Sequence, residues 1–395
     1  MKKLMLALAA TTAMTGAAFA DGHEVKIGVI LGYTGPIESL TGPMGDSAEL
    51  AMAEVNASGK FMDGKTVVSV RGDTTCVDSA AAVAATERLV TSDKVSGIVG
   101  GDCSGVTGAM LQNVARPNGV VMVSPSATSP ALTTAEDDGL FFRTAPSDAR
   151  QGQVLAELLK EKGITSAAMT YTNNDYGKGL ADSIQSNFES MGGSITISAP
   201  HEDGKGDYGA EVAALAQAGG DLLIVAGYLD QGGKGVIQGA LDTGAFDTFV
   251  LPDGMIGDSL PAAIGPDLDG SWGTVPGTDS KGVEIFEANA AAAGIKTDAF
   301  SAESYDAAAL IMLAMQAAGS TNSADYKDKL LEVANAPGEP INPGELGKAL
   351  EILASGGDID YVGASAVELV NGGESAGNYR EILVKGGENT TASYR

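Results

Sequence analysis

Residues 95–124, VSGIVGGDCSGVTGAMLQNVARPNGVVMVS, carry the pattern that decides the fold. Val95–Val99 is a short apolar run that stops at Gly100-Gly101, Val106–Val114 reads as a helix, and Val120–Ser124 reads as the next strand. The runs are continuously apolar instead of alternating, so both faces of each strand are expected to be buried. A strand, a helix and a strand of this length form the unit of a parallel sheet with right-handed crossovers. The same rhythm extends upstream: strand Val25–Leu31, helix Ser47–Asn56, strand Val67–Val70, helix Ser79–Val90. Downstream it resumes with helix Gln153–Glu161, strand Ala167–Tyr171, helix Leu180–Ser190 and strand Ser194–Ser198. Helix Tyr208–Ala218, strand Leu222–Ala226, helix Gly233–Leu241 and strand Thr248–Leu251 follow.

These strands are too many for one sheet, so two α/β lobes are expected, the first switching near Pro146–Ala149. After Trp272–Pro276 the chain reads as helical over Val283–Ala293, Ser301–Ala318, Tyr326–Ala334 and Leu346–Ala354. Val367–Val370 and Arg380–Val384 then read as a terminal β-ribbon around Gly372–Gly377. A helical tail of this kind suggests that the chain returns to complete the first lobe. Many of the 54 glycines follow strands, among them Gly32, Gly100, Gly101, Gly227 and Gly254. Those are the carboxyl ends of parallel strands, where α/β folds bind ligands.

The chain has 395 residues, 44% hydrophobic and 19% charged, which excludes wholesale disorder. Its formal net charge of −27 repels phosphate backbones and anionic bilayers, so no nucleic-acid or membrane-surface partner is expected. With two His and two Cys, a multi-ligand zinc site or an iron–sulfur cluster is implausible, and no metal or cofactor is expected. Met1–Lys3 is basic, Leu4–Ala13 is largely apolar, and Ala18-Phe19-Ala20 has the form of a cleavage signal. That order predicts a secretory signal peptide over residues 1–20, cut after Ala20, and a periplasmic location. In an exported chain the even count favours a disulfide between Cys76 and Cys103, closing a loop for roughly 3 kcal/mol in the chain-entropy view. The alternative is two free buried thiols.

Candidate binding residues follow from the strand ends. Ser104 sits as an N-cap after Gly100–Cys103, where backbone N–H groups and a hydroxyl suit a carboxylate. In Val123–Pro130 two prolines hold the chain extended, so the Ser126 carbonyl and the Thr128 hydroxyl face one point. In the second half, Tyr176 precedes a helix, Tyr228 follows Leu222–Ala226, and Asp253 follows Thr248–Leu251, a single carboxylate suited to an ammonium. Anion-binding donors on one lobe and a carboxylate with two tyrosines on the other suit a zwitterion.

The chain resembles the type I periplasmic substrate-binding proteins of ABC transporters, in the leucine/isoleucine/valine-binding branch. The resemblance is carried by Lys26-Ile27-Gly28-Val29 with Thr34-Gly35-Pro36, Cys76 with Cys103-Ser104, and Ser124-Pro125-Ser126-Ala127-Thr128. It continues in Phe142-Arg143-Thr144, Asp175-Tyr176-Gly177-Lys178-Gly179-Leu180 and Gly227-Tyr228. It implies two doubly wound parallel-sheet lobes joined by three crossover hinges near Asp148, Pro276 and Gly377. The lobes would be residues 21–148 plus 277–377 and residues 149–276 plus 378–395. It also implies a Cys76–Cys103 disulfide and an α-carboxylate site at Ser104 and Thr128. The α-ammonium site would be the Ser126 carbonyl, Asp253 and Tyr176, with Ala127 in the same segment and Tyr228 lining the cleft. An insertion around Glu38–Pro43 leaves Met44 as the nearest side-chain-pocket residue, joined by Asp102, Ser301 and Glu303. The implied function is non-enzymatic: a monomer that closes on a small zwitterion, an amino acid of the branched-chain type or a relative, and passes it to an inner-membrane ABC permease.

Two other readings stand beside it. The same fold would serve an amide or an aromatic or short carboxylate, for transport or for sensing. Alternatively, Gly101-Asp102-Cys103-Ser104-Gly105 has the form of a nucleophile elbow with Cys103 as nucleophile, and His201, the only histidine downstream, would be its base. Gly177-Lys178-Gly179 lacks the third glycine of a dinucleotide fingerprint.

Overall fold

The computed structural model describes residues 23–395. The expected signal peptide and its cleavage point lie outside them. Two seven-stranded sheets organise the chain. From edge to edge, the first is Leu369–Val370, Glu374–Ser375, Phe141–Pro146, Met122–Ser124, Ile98–Gly100, Glu24–Leu31 and Thr66–Asp73. Every neighbouring pair is parallel except the first. The second runs Glu388–Tyr394, Tyr379–Lys385, Trp272–Pro276, Phe249–Leu251, Leu223–Ala226, Ser166–Thr172 and Ser194–His201. It is parallel from Trp272–Pro276 onward and antiparallel at its two terminal strands. In each sheet the earliest strand lies inside the next one, so strand order reverses there and leaves a crevice at the carboxyl ends.

The continuous apolar runs are buried on both faces, as Val29–Leu31, Ile98–Val99 and Leu223–Ala226 illustrate. Helix Ser301–Ala318 covers the first sheet and packs on helix Glu38–Ser58. Its stretch Ala307–Met315 is wholly inaccessible to solvent. Asp306, at the head of that stretch, accepts from Tyr361 Oη (2.7 Å), Ala364 N (2.8 Å), Ser365 N (2.7 Å) and Ser365 Oγ (2.6 Å). It thereby pins the late loop 361–365 to the first lobe. Among the described residues no helix is long and apolar enough to cross a membrane.

The chain passes between the sheets three times, after Pro146, after Pro276 and between Ser375 and Tyr379. The last passage corrects the expected terminal β-ribbon. Leu369–Val370 pairs with Glu374–Ser375 in the first sheet, whereas Tyr379–Lys385 pairs with Trp272–Pro276 and Glu388–Tyr394 in the second. Gly372 and Gly373 turn the short hairpin within the first sheet, and the chain after Ser375 is the crossover to the second. Glu38–Pro43, where the resemblance implies an insertion, opens the helix Glu38–Ser58, which carries Pro43 within it.

Candidate functional site

Two loops of the first lobe reach the crevice. One runs from Gly101 to the helix Ser104–Met110, whose N-cap is Cys103, so Ser104 is its first helical residue and not the cap. The Ser104 hydroxyl accepts from Ser129 N at 3.0 Å, which ties this loop to the next and leaves its own proton free to donate. The other loop follows Met122–Ser124. Ser124 Oγ accepts from Ala127 N at 2.9 Å, and Ser126 Oγ donates to the Asp102 carbonyl at 3.2 Å. Behind it lies Arg143, 1% exposed, donating to the carbonyls of Ala127 (3.0 Å) and Ser129 (2.9 Å), to Thr133 Oγ1 (2.7 Å) and to Glu374 (2.5 Å). One buried guanidinium thus shapes the loop and joins it to the strand at the third crossover.

Three loops of the second lobe face them. Asn174 caps the helix Asp175–Ser190 by accepting from Gly177 N, which aims Tyr176 inward. Tyr176 stacks on Tyr228 with ring centroids 5.2 Å apart and planes 12° from parallel. Tyr176 Oη donates to Asp253 Oδ1 at 2.7 Å, and Gly254 N donates to the same oxygen at 2.9 Å. Both donors converge on Oδ1, and Gln151 adds a further hydrogen bond to the same carboxylate. Burial pushes the Asp253 carboxyl up to about 6 against those hydrogen bonds, and burial likewise raises both tyrosines.

The two sets face one another across a narrow gap. Ser104, Ser126, Tyr176, Tyr228 and Asp253 all line it. Ala127 and Thr128 do not; both are buried behind Ser126, and Thr128 is turned toward Asp148. Asp102 borders the gap, but its carboxylate is occupied by Gly32 N (2.7 Å) and Thr74 Oγ1 (3.0 Å), so it braces three strand ends of the first lobe. Met44 is fully buried in the core; Ile37 and Leu40 supply the apolar wall in its place. Ser301 and Glu303 face a separate and larger groove. Phe300, one residue before the helix Ser301–Ala318, borders both spaces. Leu40 and Phe300 escape sequence reasoning because apolar residues at helix starts look like core; the one available signal for Phe300 is an aromatic directly before a helix.

Contacts across the gap hold the lobes closed on each other. Asp230 N donates to the Pro36 carbonyl at 3.0 Å, the Asp230 carboxylate accepts from Ser39 N (2.9 Å), and Ser39 Oγ donates to Ser259 Oγ (3.1 Å), which is itself held to Asp230 within the second lobe (2.6 Å). The expected nucleophile and base are not brought together. Cys103 is bonded to Cys76, as expected. His201 lies on the far edge strand of the second sheet, bonded through Nδ1 to Thr170 Oγ1 at 2.8 Å, and burial pushes it down to about 4. The nucleophile-elbow reading is overturned by both facts.

Two α/β lobes joined by three crossovers, with side chains of both lining one gap, have the architecture of a protein that takes a small molecule between its lobes. Residues 24–344 match the periplasmic binding protein family model. A Leu/Ile/Val-binding protein homologue of Brucella melitensis is 30% identical over 344 residues, covering 85% of this chain and 89% of its own. The leucine binding protein LivK of Thermotoga maritima superposes with a TM-score of 0.78 at 22% identity, over 94% of this chain and 98% of its own. The isoleucine complex of LivJ from Streptococcus pneumoniae does so with a TM-score of 0.77 at 24% identity, over 94% and 99%. The chain belongs to the periplasmic binding protein family, the non-enzymatic substrate-binding components of ABC transporters, which work in the periplasm with a membrane permease.

Proposed function

We propose that this protein captures an L-amino acid with a branched apolar side chain and delivers it to an ABC permease. The observation that carries the reading is the convergence of Ser104 and Ser126 from one lobe with Tyr176, Tyr228 and Asp253 from the other on a single gap. Ser104 donates to the ligand carboxylate. Asp253, with the Ser126 carbonyl, takes the ammonium. Ile37, Leu40 and Phe300 cover the side chain, which suits an aliphatic group better than a charged one. Ligand docks on one lobe, and rotation at the crossovers near Asp148, Pro276 and Gly377 brings the other down. Closure is driven because contacts to the second lobe form only then. In this reading residues 21–148 plus 277–377 and residues 149–276 plus 378–395 move as units, the chain acts as a monomer, and the exported form begins at Asp21.

Calorimetric titration with leucine, isoleucine and valine, beside benzoate and short amides, tests the reading. Saturable binding of the amino acids supports it; binding confined to the benzoate or the amides overturns it. Asp253→Ala is expected to weaken amino-acid binding by tenfold or more, since the ammonium loses its buried counter-charge.

A further inference from the structure

The groove that Ser301 and Glu303 face is a second space between the lobes, of about 380 Å³, and of the residues lining the gap it shares only Phe300. One wall comes from the first lobe, where the helix Lys281–Ala292 and the start of the helix Ser301–Ala318 follow the second crossover. The other comes from the strand Tyr379–Lys385 of the second sheet. Glu303 lies in the first turn of its helix, is 3% exposed, and lines the groove. The one hydrogen bond that reaches its carboxylate comes from its own main-chain N–H, and burial pushes the carboxyl up to about 7. A carboxylate accepts up to about four hydrogen bonds, so a buried one served by a single donor points to a missing partner.

The neighbours do not supply it. Arg380, on the facing wall, is near enough for Glu303 to feel its charge but makes no hydrogen bond to it. Its guanidinium packs under Gly277 instead, where a Cβ would lie 2.8 Å from Arg380 Nε. Asp306, the other charge that Glu303 feels, is spent on Tyr361, Ala364 and Ser365. Asp298 accepts from Ala299 N (2.8 Å) and Asp258 N (3.2 Å), and Asp258 is paired with Lys296 at 3.0 Å. Glu284 and Glu287, three residues apart on one helix, are exposed and line the groove, as does the exposed Asp279. Six acidic side chains and one basic one therefore border the space, which sets its potential negative. Among the described residues no three acidic side chains converge as the ligands of a metal ion would. Phe286, Phe300 and Ile382 supply apolar wall, which suits methylene groups.

We propose that this groove is a second ligand site, for a small organic cation whose ammonium or guanidinium is held by Glu303 and whose alkyl chain runs out along the apolar wall toward Glu284 and Glu287. The site is separate from the gap and does not rest on the amino-acid reading. Glu303 is the discriminating group because its charge is buried and lacks a counter-charge, whereas the outer acids are solvated.

The test is calorimetric titration of the mature protein with agmatine, a short chain with an ammonium at one end and a guanidinium at the other. It is run at pH 8, above the Glu303 titration, and in about 0.15 M salt, which screens attraction to the protein's general negative charge. The expected result is saturable binding of one agmatine, weakened about tenfold or more in Glu303→Gln and retained in Asp253→Ala, with a thermal melt showing both variants folded. Arg380→Gln removes a repelling charge and should tighten binding. Uptake that does not saturate, or equal binding in Glu303→Gln, overturns the site. Loss of binding in Asp253→Ala with retention in Glu303→Gln places agmatine in the gap and overturns it too. Weaker binding in Arg380→Gln overturns the assignment to a cation. Leucine titration alone tests the amino-acid reading, so the two fail separately.

Discussion

Gly254 has no room for a methyl group. A Cβ there would lie 2.6 Å from the Gly227 carbonyl oxygen and 2.7 Å from Tyr176 Oη. The backbone oxygen cannot yield, so the loop or Tyr176 must move, and the Tyr176–Asp253 hydrogen bond goes with it. Gly254→Ala is expected to weaken ligand binding about tenfold, the value of one such bond, with a small change in melting temperature; titration beside a thermal melt checks both. Residues of this kind divide by how local their signal is. Ser104, Tyr176, Tyr228 and Asp253 were legible because each closes or follows a strand, where parallel sheets expose polar groups. Leu40 and Phe300 were not, because their place in the gap depends on how whole helices lie across the sheet. Asp102 was legible as a polar residue at the crevice but not as a brace, since its partners Gly32 and Thr74 come from distant strand ends.

Strands and their crossovers set the geometry of the loops. Arg143 sits on the strand before the first crossover, and Glu374 on the short strand before the third. Burial alone would raise the Glu374 carboxyl, but Arg143 holds it below the usual range. Arg143→Met strands that acid and frees two loop carbonyls, for an expected loss of about 3–5 kcal/mol in denaturant unfolding. Stability within a few tenths of a kcal/mol of the natural chain would contradict this account of the loop. Strand–helix alternation made most elements legible, because continuous apolar runs mark buried parallel strands. The carboxyl-terminal segments were misread for a specific reason. Two β-branched runs around a glycine cluster look like one hairpin, yet the first pairs with Glu374–Ser375, which joins Phe141–Pro146, and the second pairs with Trp272–Pro276 in the other sheet, both more than a hundred residues away.

At the scale of the whole molecule, function is the closing of two bodies with the same sheet order. The contacts that hold them shut join residues far apart in sequence, such as Ser39 and Asp230, and no local pattern announces such pairs. Asp230→Ala removes the acceptor of Ser39 N and the anchor of Ser259 in that clasp, leaving the binding residues untouched. Ligand release in stopped flow is expected to quicken about fivefold, corresponding to about 1 kcal/mol of lost closed-state stability; an unchanged rate would place the closing energy elsewhere. The central claim is that both charged ends of one molecule are held in the gap, the carboxylate by the first lobe and the ammonium by Asp253 of the second with the Ser126 carbonyl. The most direct measurement is competitive calorimetry of leucine against 3-methylbutylamine, which lacks the carboxylate, and 4-methylpentanoate, which lacks the ammonium. Losing either end should cost at least a hundredfold in affinity, as expected when a buried charged group is left unpaired. Binding of either analogue within a few fold of leucine would contradict the account.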